Sequence, residues 1–359
     1  MEYNLLDLLG FKRYKLPQKK LRIIEFFAGY GSQSLALKYL GIPYENHCIC
    51  EWAIPSIQAY KDIHYPNDNT DYSSKYDVET LTNILWQLGI SSDYNNPMEL
   101  KNIQKKPESW KRQVFNNIKA TRNLVNISKV TAKSLHITEQ EKFTYLLTYS
   151  FPCQDISLAG KLKGFSDTST RSGLLWEVAR ILQDLHNSGI HLDVLLMENV
   201  TQVHSTKNMP DFQRWLDFLK SIGYSNYYQD LNAKDYAIPQ NRNRCFMVSI
   251  YDPNHKQYFD FPKKMKLNIL LENVLEDNVD DSYFLSDRIV TFYENNSLEQ
   301  ERKGNGFRFE PRERERAKLA STITCRAGNR MDDNFIIEND IRTNCSVEKS
   351  SQPFRKCTR

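Results

Sequence analysis

The 359-residue sequence predicts an α/β protein built on a Rossmann-like, mostly parallel sheet, followed by a smaller lobe. Three observations carry this. Apolar, β-rich runs alternate with segments of helical periodicity from about residue 21 to residue 251. The first strand and first helix are joined by a tight glycine turn, and the chain becomes strongly charged and irregular after Tyr251. The length exceeds one average domain, and 40% hydrophobic against 26% charged residues excludes a largely disordered chain.

The elements follow in order. LRIIEFF (21–27) reads as a strand, AGYGS as a turn and SQSLALKYLG as a helix closed by glycine. YENHCIC is a second strand ending at Glu51, and AIPSIQAYKDI a second helix. From about Tyr65 to Lys142 the composition shifts toward Asn, Lys, Ser and Asp, which marks an insertion with a helix at VETLTNILWQLG and a short strand around LVNISKV. KFTYLLTYS resumes the sheet, SGLLWEVARILQDLHNSG and PDFQRWLDFLKSIGY are amphipathic helices, and LDVLLMEN and RCFMVSI are buried strands. Residues 1–251 are therefore expected to form one domain, 252–330 a small lobe of short strand-like pieces, and 331–359 an atypical tail.

Net charge of +4 fits a polyanionic partner without demanding one. The longest apolar runs are too short to span a bilayer and the N-terminus lacks a signal-peptide layout, so a cytoplasmic protein is expected. Seven cysteines stand scattered, with neither CxxC spacing nor nearby histidine pairs, and no metal site is expected from them. Cys48 and Cys50 read as buried small hydrophobes.

Four stretches hold residue types suited to chemistry. In FFAGYGS, Gly29 and Gly31 let backbone amides approach a ligand at a helix N-terminus; with Ser34 in third position the segment nearly spells GxGxxG, and Glu51 stands where a ribose-binding acid should. NAD and S-adenosylmethionine both fit, since each presents a ribose diol and an adenine ring, and Trp52 offers an aromatic face. In SFPCQ, Pro152 stiffens the backbone before Cys153, a thiol at a strand tip. In MENV, Glu198 is either a cap for the next turn of chain or a functional acid. In IPQNRNRCF, Arg242 and Arg244 alternate so that both face one side of a strand, which demands a carboxylate, phosphate or polar substrate opposite them.

FAGYGS, Glu51-Trp52, PCQ (152–154), ENV (198–200) and QNRNR (240–244), in this order, closely resemble the DNA (cytosine-5) methyltransferases. The likeness covers about residues 21–250, with STITCR (321–326) similar to the segment that organises the family's recognition lobe. It implies a class I S-adenosylmethionine-dependent methyltransferase fold with a smaller target-recognition lobe. It assigns Cys153 as the nucleophile toward cytosine C6, Glu198 as the acid at N3, and Arg244 with Arg242 as holders of the base. It places S-adenosyl-L-methionine against Phe27, Ala28, Gly29, Gly31, Ser32, Glu51, Trp52, Pro152 and Leu174, with Asn126 and Ile127 at the adenine. No metal is required by that chemistry. The partner implied is double-stranded DNA, with a cognate restriction endonuclease in the same cell, and the chain is expected to act as a monomer.

Two departures stand out. Asn126 occupies a position that is usually aspartate, which keeps an accepting carbonyl but loses the charge. The family's closing Gly-Asn-Ser-like helix region is missing: AGNR follows STITCR too closely, and IRTNCSVEKSSQPFRKCTR is polar without helical periodicity. A frameshift or truncation near Arg342 is the expected cause, with impaired activity as its consequence. Methylation of RNA cytosine by the same chemistry and a non-catalytic DNA-binding role are the competing functions. A nicotinamide dehydrogenase leaves PCQ, ENV and QNRNR unexplained.

Overall fold

The computed structural model describes residues 19–152, 172–277, 279–306, 308–324, 330–337 and 354–356. Two compact units emerge: residues 1–230 with 244–261, and 231–243 with 262–359.

The first unit is organised by a six-stranded sheet. In chain order it holds β1 (Lys20–Phe26), α1 (Ser32–Tyr39), β2 (Tyr44–Cys50), α2 (Ile54–His64), α3 (Val78–Leu88), α4 (Leu100–Gln104), α5 (Glu108–Ala120) and β3 (Phe143–Tyr149). Then come α6 (Leu175–Asn187), β4 (Val194–Asn199), α7 (Met209–Ser221), β5 (Tyr224–Asn232) and, after the excursion into the second unit, β7 (Asn243–Tyr251). The strand order is β2-β1-β3-β4-β7-β5. The pairs β1–β2, β1–β3 and β3–β4 are parallel, while β4–β7 is antiparallel. Parallel neighbours need crossover helices, and the alternating sequence supplies them.

Burial explains why the strands read as near-continuous apolar runs. Ile24, Tyr145, Leu147, Leu195 and Met247 from the sheet meet Leu175, Ile181 and Leu182 of α6 and Phe212, Trp215 and Leu219 of α7 in one core. Trp215 is fully buried, with ring contacts to Tyr149 and Phe218 at centroid distances of 5.8 and 5.5 Å.

Between α2 and β3 the chain builds a second core of its own. Leu81 and Leu85 of α3, Ile103 of α4 and Val114, Phe115 and Ile118 of α5 pack with Ile57, Ile90 and Val125. Helix α5, absent from the sequence expectation, places Val114, Phe115 and Ile118 on one face at helical spacing, a signal diluted by the polar residues around them. The strand expected around LVNISKV is not formed. Asn123 makes an isolated bridge to Ile49, Val125 turns at φ 64°, and residues Ile127–Lys129 form a 3-10 turn.

The second unit holds β6 (Gln240–Asn241), α8 (Asp287–Arg302), β8 (Arg312–Glu313), β9 (Ala320–Ser321), β10 (Phe335–Ile337) and β11 (Phe354–Lys356). β6 pairs with β9 in parallel, and β11-β10-β8 form a three-stranded sheet. Helix α8, sixteen residues long, stands where the sequence predicts only short strand-like pieces. Its apolar contribution is Val290 and Tyr293, which pack with Leu285, Met331 and Phe335. Among the described residues, no helix is long and apolar enough to cross a membrane.

Candidate active site

The glycine turn sits at the carboxyl end of β1, where a sheet of this kind opens to ligands. Phe27 and Gly29 both take φ 55°, and the Ala28 amide donates to the Cys50 carbonyl at 3.3 Å, so the turn is sewn to the end of β2. Glu51 then fixes its tip. The Gly29 amide donates to Glu51 Oε2 and the Ala53 amide to Oε1, each at 2.8 Å. Burial pushes the Glu51 carboxyl up from the usual range, while the Ala53 and Gly29 amides pull it the other way.

The two glycines serve different ends. A side chain at Gly29 would meet nothing within 4 Å, so this face of the turn is open. At Gly31, with φ 79°, a Cβ would lie 2.4 Å from His64 Nε2 and 2.5 Å from Tyr60 Cε2. Gly31 is therefore demanded by packing against α2. Tyr60 in turn donates to Glu25 Oε2 at 2.6 Å, and Ser34 donates to the same carboxyl through its hydroxyl at 2.5 Å and its amide at 3.2 Å. Ser34, in the third position of the near-fingerprint, is thus a buried anchor for α1.

An adenosyl group fits what is present: a turn with open space over Gly29, the buried Glu51 carboxyl fixed beside it by backbone amides, and the half-buried ring of Trp52. Phe27, Pro152 and Leu174 are half-buried, Ala28 is buried and Ser32 is the exposed first residue of α1. Ile127 is buried in the central core. Asn126 spends its carbonyl oxygen locally, accepting from the Ser128 amide at 3.0 Å.

Asn123 is a positioning residue that the sequence does not disclose. It lies 72 positions from Glu51, receives the Glu51 amide at 3.0 Å and donates to the Glu51 carbonyl at 2.8 Å. The backbone of the acid is held on both sides.

Cys153 lies outside the described residues. Its approach is described: Phe151 is buried, and its carbonyl accepts from Asn199 Nδ2 at 3.0 Å, while Asn199 Oδ1 accepts from the Val200 amide at 2.9 Å. The ENV segment thereby clamps the residue two before the thiol. In the sequence Asn199 is only the middle letter of that motif, with nothing to mark its partner.

Glu198 and Arg244 meet as the strand register requires. Glu198 on β4 stands opposite Phe246 on β7, so Arg244, two residues before Phe246, is its diagonal neighbour on the same face. Arg244 Nε lies 3.2 Å from Glu198 Oε1, with side-chain exposures of 19% and 21%. Two groups this sheltered hold each other's geometry while remaining open to a substrate. Arg242 is not in the same strand: it falls in the break between β6 and β7 and is grouped with the second unit. A two-residue strand followed by a nine-residue one cannot be told from a single long strand by alternation, and both arginines remain half-buried.

Within the second unit, the QNR and STI segments pair although about eighty residues separate them. β6 and β9 match Gln240 with Ala320 and Asn241 with Ser321, and Thr322 Oγ1 donates to the Asn241 carbonyl at 2.7 Å. Buried Asn334 locks this arrangement, accepting from the Ser321 amide at 2.7 Å and donating to the Ser321 carbonyl at 3.1 Å.

Comparison with known proteins identifies relatives of the chain. The family model of C-5 cytosine-specific DNA methylases matches residues 101–357. The chain is 35% identical over 281 residues to the type II methyltransferase M2.ScrFI of Lactococcus lactis subsp. cremoris, covering 76% of this chain and 72% of that one. It is 34% identical over 278 residues to the orphan methyltransferase M.SssI of Spiroplasma monobiae, covering 75% and 68%. In fold it is similar to the S. pombe Dnmt2 methyltransferase, with a TM-score of 0.56 and 14% identity over 90% of this chain and 78% of that one.

Proposed function

The chain belongs to the family of C-5 cytosine-specific DNA methylases, and from that premise we propose that it methylates cytosine C5 in double-stranded DNA through a transient bond between Cys153 and the base. The supporting observation is the convergence, at the carboxyl ends of β3 and β4 and the start of β7, of the Phe151 carbonyl held by Asn199 with the Glu198–Arg244 pair.

Cytosine C5 is a weak nucleophile, so the ring must first be activated. The Cys153 thiolate adds to C6, forming a sulfur–carbon bond and moving an electron pair toward C5. Glu198 donates a hydrogen bond or proton at N3, which accepts the density that addition pushes into the ring. Arg244 holds the Glu198 carboxyl in place and offers positive charge to the base. Asn199 fixes the carbonyl of Phe151 and so aims the segment that carries the thiol. S-adenosyl-L-methionine, when bound, supplies an electrophilic methyl group on a sulfonium. After C5 is methylated, its proton passes to solvent, the C5–C6 double bond re-forms, the Cys153 sulfur leaves as thiolate, and N3 returns any proton it took to Glu198. The stacked base hides C6, so the target nucleotide is turned out of the duplex at roughly a few kcal/mol, repaid by contacts in the pocket. In this reading the turn at Ala28–Gly31, Glu51 and Trp52 bind the cofactor, and a cognate restriction endonuclease is the expected cellular partner.

The test uses DNA carrying 5-fluorocytosine, whose C5 fluorine cannot leave as a proton does. With methyl donor present the chain should become covalently attached to that DNA, and Cys153→Ser should abolish attachment while lowering methylation of ordinary DNA by at least ~10³-fold. Methyl transfer to RNA but not DNA would favour the RNA reading. Absence of any adduct on either would overturn the mechanism.

A further inference from the structure

Behind the Glu198–Arg244 pair, on the opposite face of the sheet, three side chains that the methyl-transfer chemistry does not use come together. They are His204, at the end of the 3-10 turn that follows β4, Asp230 on β5 and Cys245 on β7. Cys245 stands opposite Asn199 in the β4–β7 register, so the strand alternation turns it away from the face of Glu198 and Arg244. The ligating atoms of the three residues all lie within 4.8 Å of one another. We propose that His204, Asp230 and Cys245 form a binding site for a borderline-soft divalent metal of the zinc class, with a water as fourth ligand.

The donor set selects the metal. One imidazole nitrogen, one thiolate and one carboxylate oxygen suit zinc or cobalt(II), whereas calcium and magnesium require oxygen alone. Tetrahedral bonds of ~2.0–2.3 Å place ligand atoms roughly 3.3–3.8 Å apart, so the three donors need to adjust by only about an ångström. His204 Nε2 and Asp230 Oδ1 now share a hydrogen bond at 2.8 Å, which would be exchanged for metal bonds. Phe212 and Tyr228, with ring centroids 6.1 and 5.8 Å from that of His204, hold the imidazole in this orientation.

Burial gradates from one side of the site to the other. Cys245 is fully buried, while the His204 and Asp230 side chains are 25% and 34% exposed, which leaves the carboxylate side open to a metal and its water. Burial pushes the Cys245 thiol up to about 12, so at neutral pH it is no nucleophile. On binding, the sulfur–metal bond forms, the sulfur–hydrogen bond breaks and the proton passes to solvent. The ion would then tie the turn after β4 to β5 and β7, the two strands from which the chain leaves and re-enters the first unit.

The test is titration of the purified full-length chain with cobalt(II) alone and with zinc alone. Wild type should bind one cobalt with a thiolate-to-metal charge-transfer band, zinc should displace it, and Cys245→Ala should lose the band. His204→Gln, which leaves the buried Cys245 thiol in place, should weaken cobalt binding by at least ~10-fold. If no band forms, or if Cys245→Ala and His204→Gln bind cobalt with unchanged spectrum and affinity, the three residues are a hydrogen-bonded pair beside a buried thiol only, and the proposal falls.

Discussion

At the scale of single residues, two glycines two positions apart answer to different physical demands. Gly29 faces open space and Gly31 faces Tyr60 and His64, although both take positive φ. Gly29→Ala should therefore cost about 1 kcal/mol of stability through backbone strain while weakening S-adenosyl-L-methionine binding by crowding the open face. Gly31→Ala adds a collision with the ring of Tyr60 and should cost about 1–3 kcal/mol more. Urea unfolding with calorimetric titration of the cofactor separates the two; equal stability losses would contradict the assignment of Gly31 to packing. Asn123 and Asn199 show a related pattern. Each is a buried amide that positions a backbone group of a residue far away in sequence, Glu51 or Phe151. No sequence signal marks their partners, because an asparagine acts here through groups 72 or 48 positions distant.

At the scale of elements, ladder pairing turns separated motifs into neighbours. The antiparallel β4–β7 register brings Glu198 beside Arg244, and the parallel β6–β9 pair brings QNR beside STI. Two paired residues per strand make a weak ladder, and the β6–β9 pair relies on Asn334. Asn334→Ala leaves the Ser321 amide and carbonyl without their buried partner, an expected loss of about 1–3 kcal/mol. Hydrogen exchange should accelerate about 10- to 100-fold at Ala320 and Ser321 and remain unchanged at β1 and β3. A uniform change through both units would mean that Asn334 acts globally. The elements the sequence misjudges, α5, α8 and the segment around Asn123, share a cause. Their conformation comes from contacts made after the chain has folded back, and in α5 and α8 polar residues also dilute the apolar signal.

At the scale of the molecule, buried carboxyls couple folding to protons. Burial raises Glu25, against the opposing hydrogen bonds of Ser34 and Tyr60, and burial likewise raises Glu51. A carboxyl whose folded value lies above its unfolded value binds more protons in the folded state. Its contribution is fully present below the unfolded value and is lost as pH rises through the window up to the folded one. Exposed acids act in the opposite sense, among them Asp77, which the Thr80 amide holds low. The informative quantity is thus the difference between wild type and Glu25→Gln. Across the window that opens above the usual carboxylate range, the urea midpoint of wild type should fall relative to that of the variant as pH rises; parallel curves would show that Glu25 is not held protonated. Sequence alone determined the α/β class, the strand–turn–helix opening and the order of the motif residues, because apolar periodicity and glycine turns act over a few neighbouring positions. Tertiary structure decided which of those residues meet. It joined Glu198 to Arg244, separated Arg242 from their strand, gave Gly31 to packing, and gathered His204, Asp230 and Cys245 where cysteine spacing promises no metal. Such meetings depend on sheet register and crossover path, which link positions tens of residues apart and leave no periodic trace in the chain.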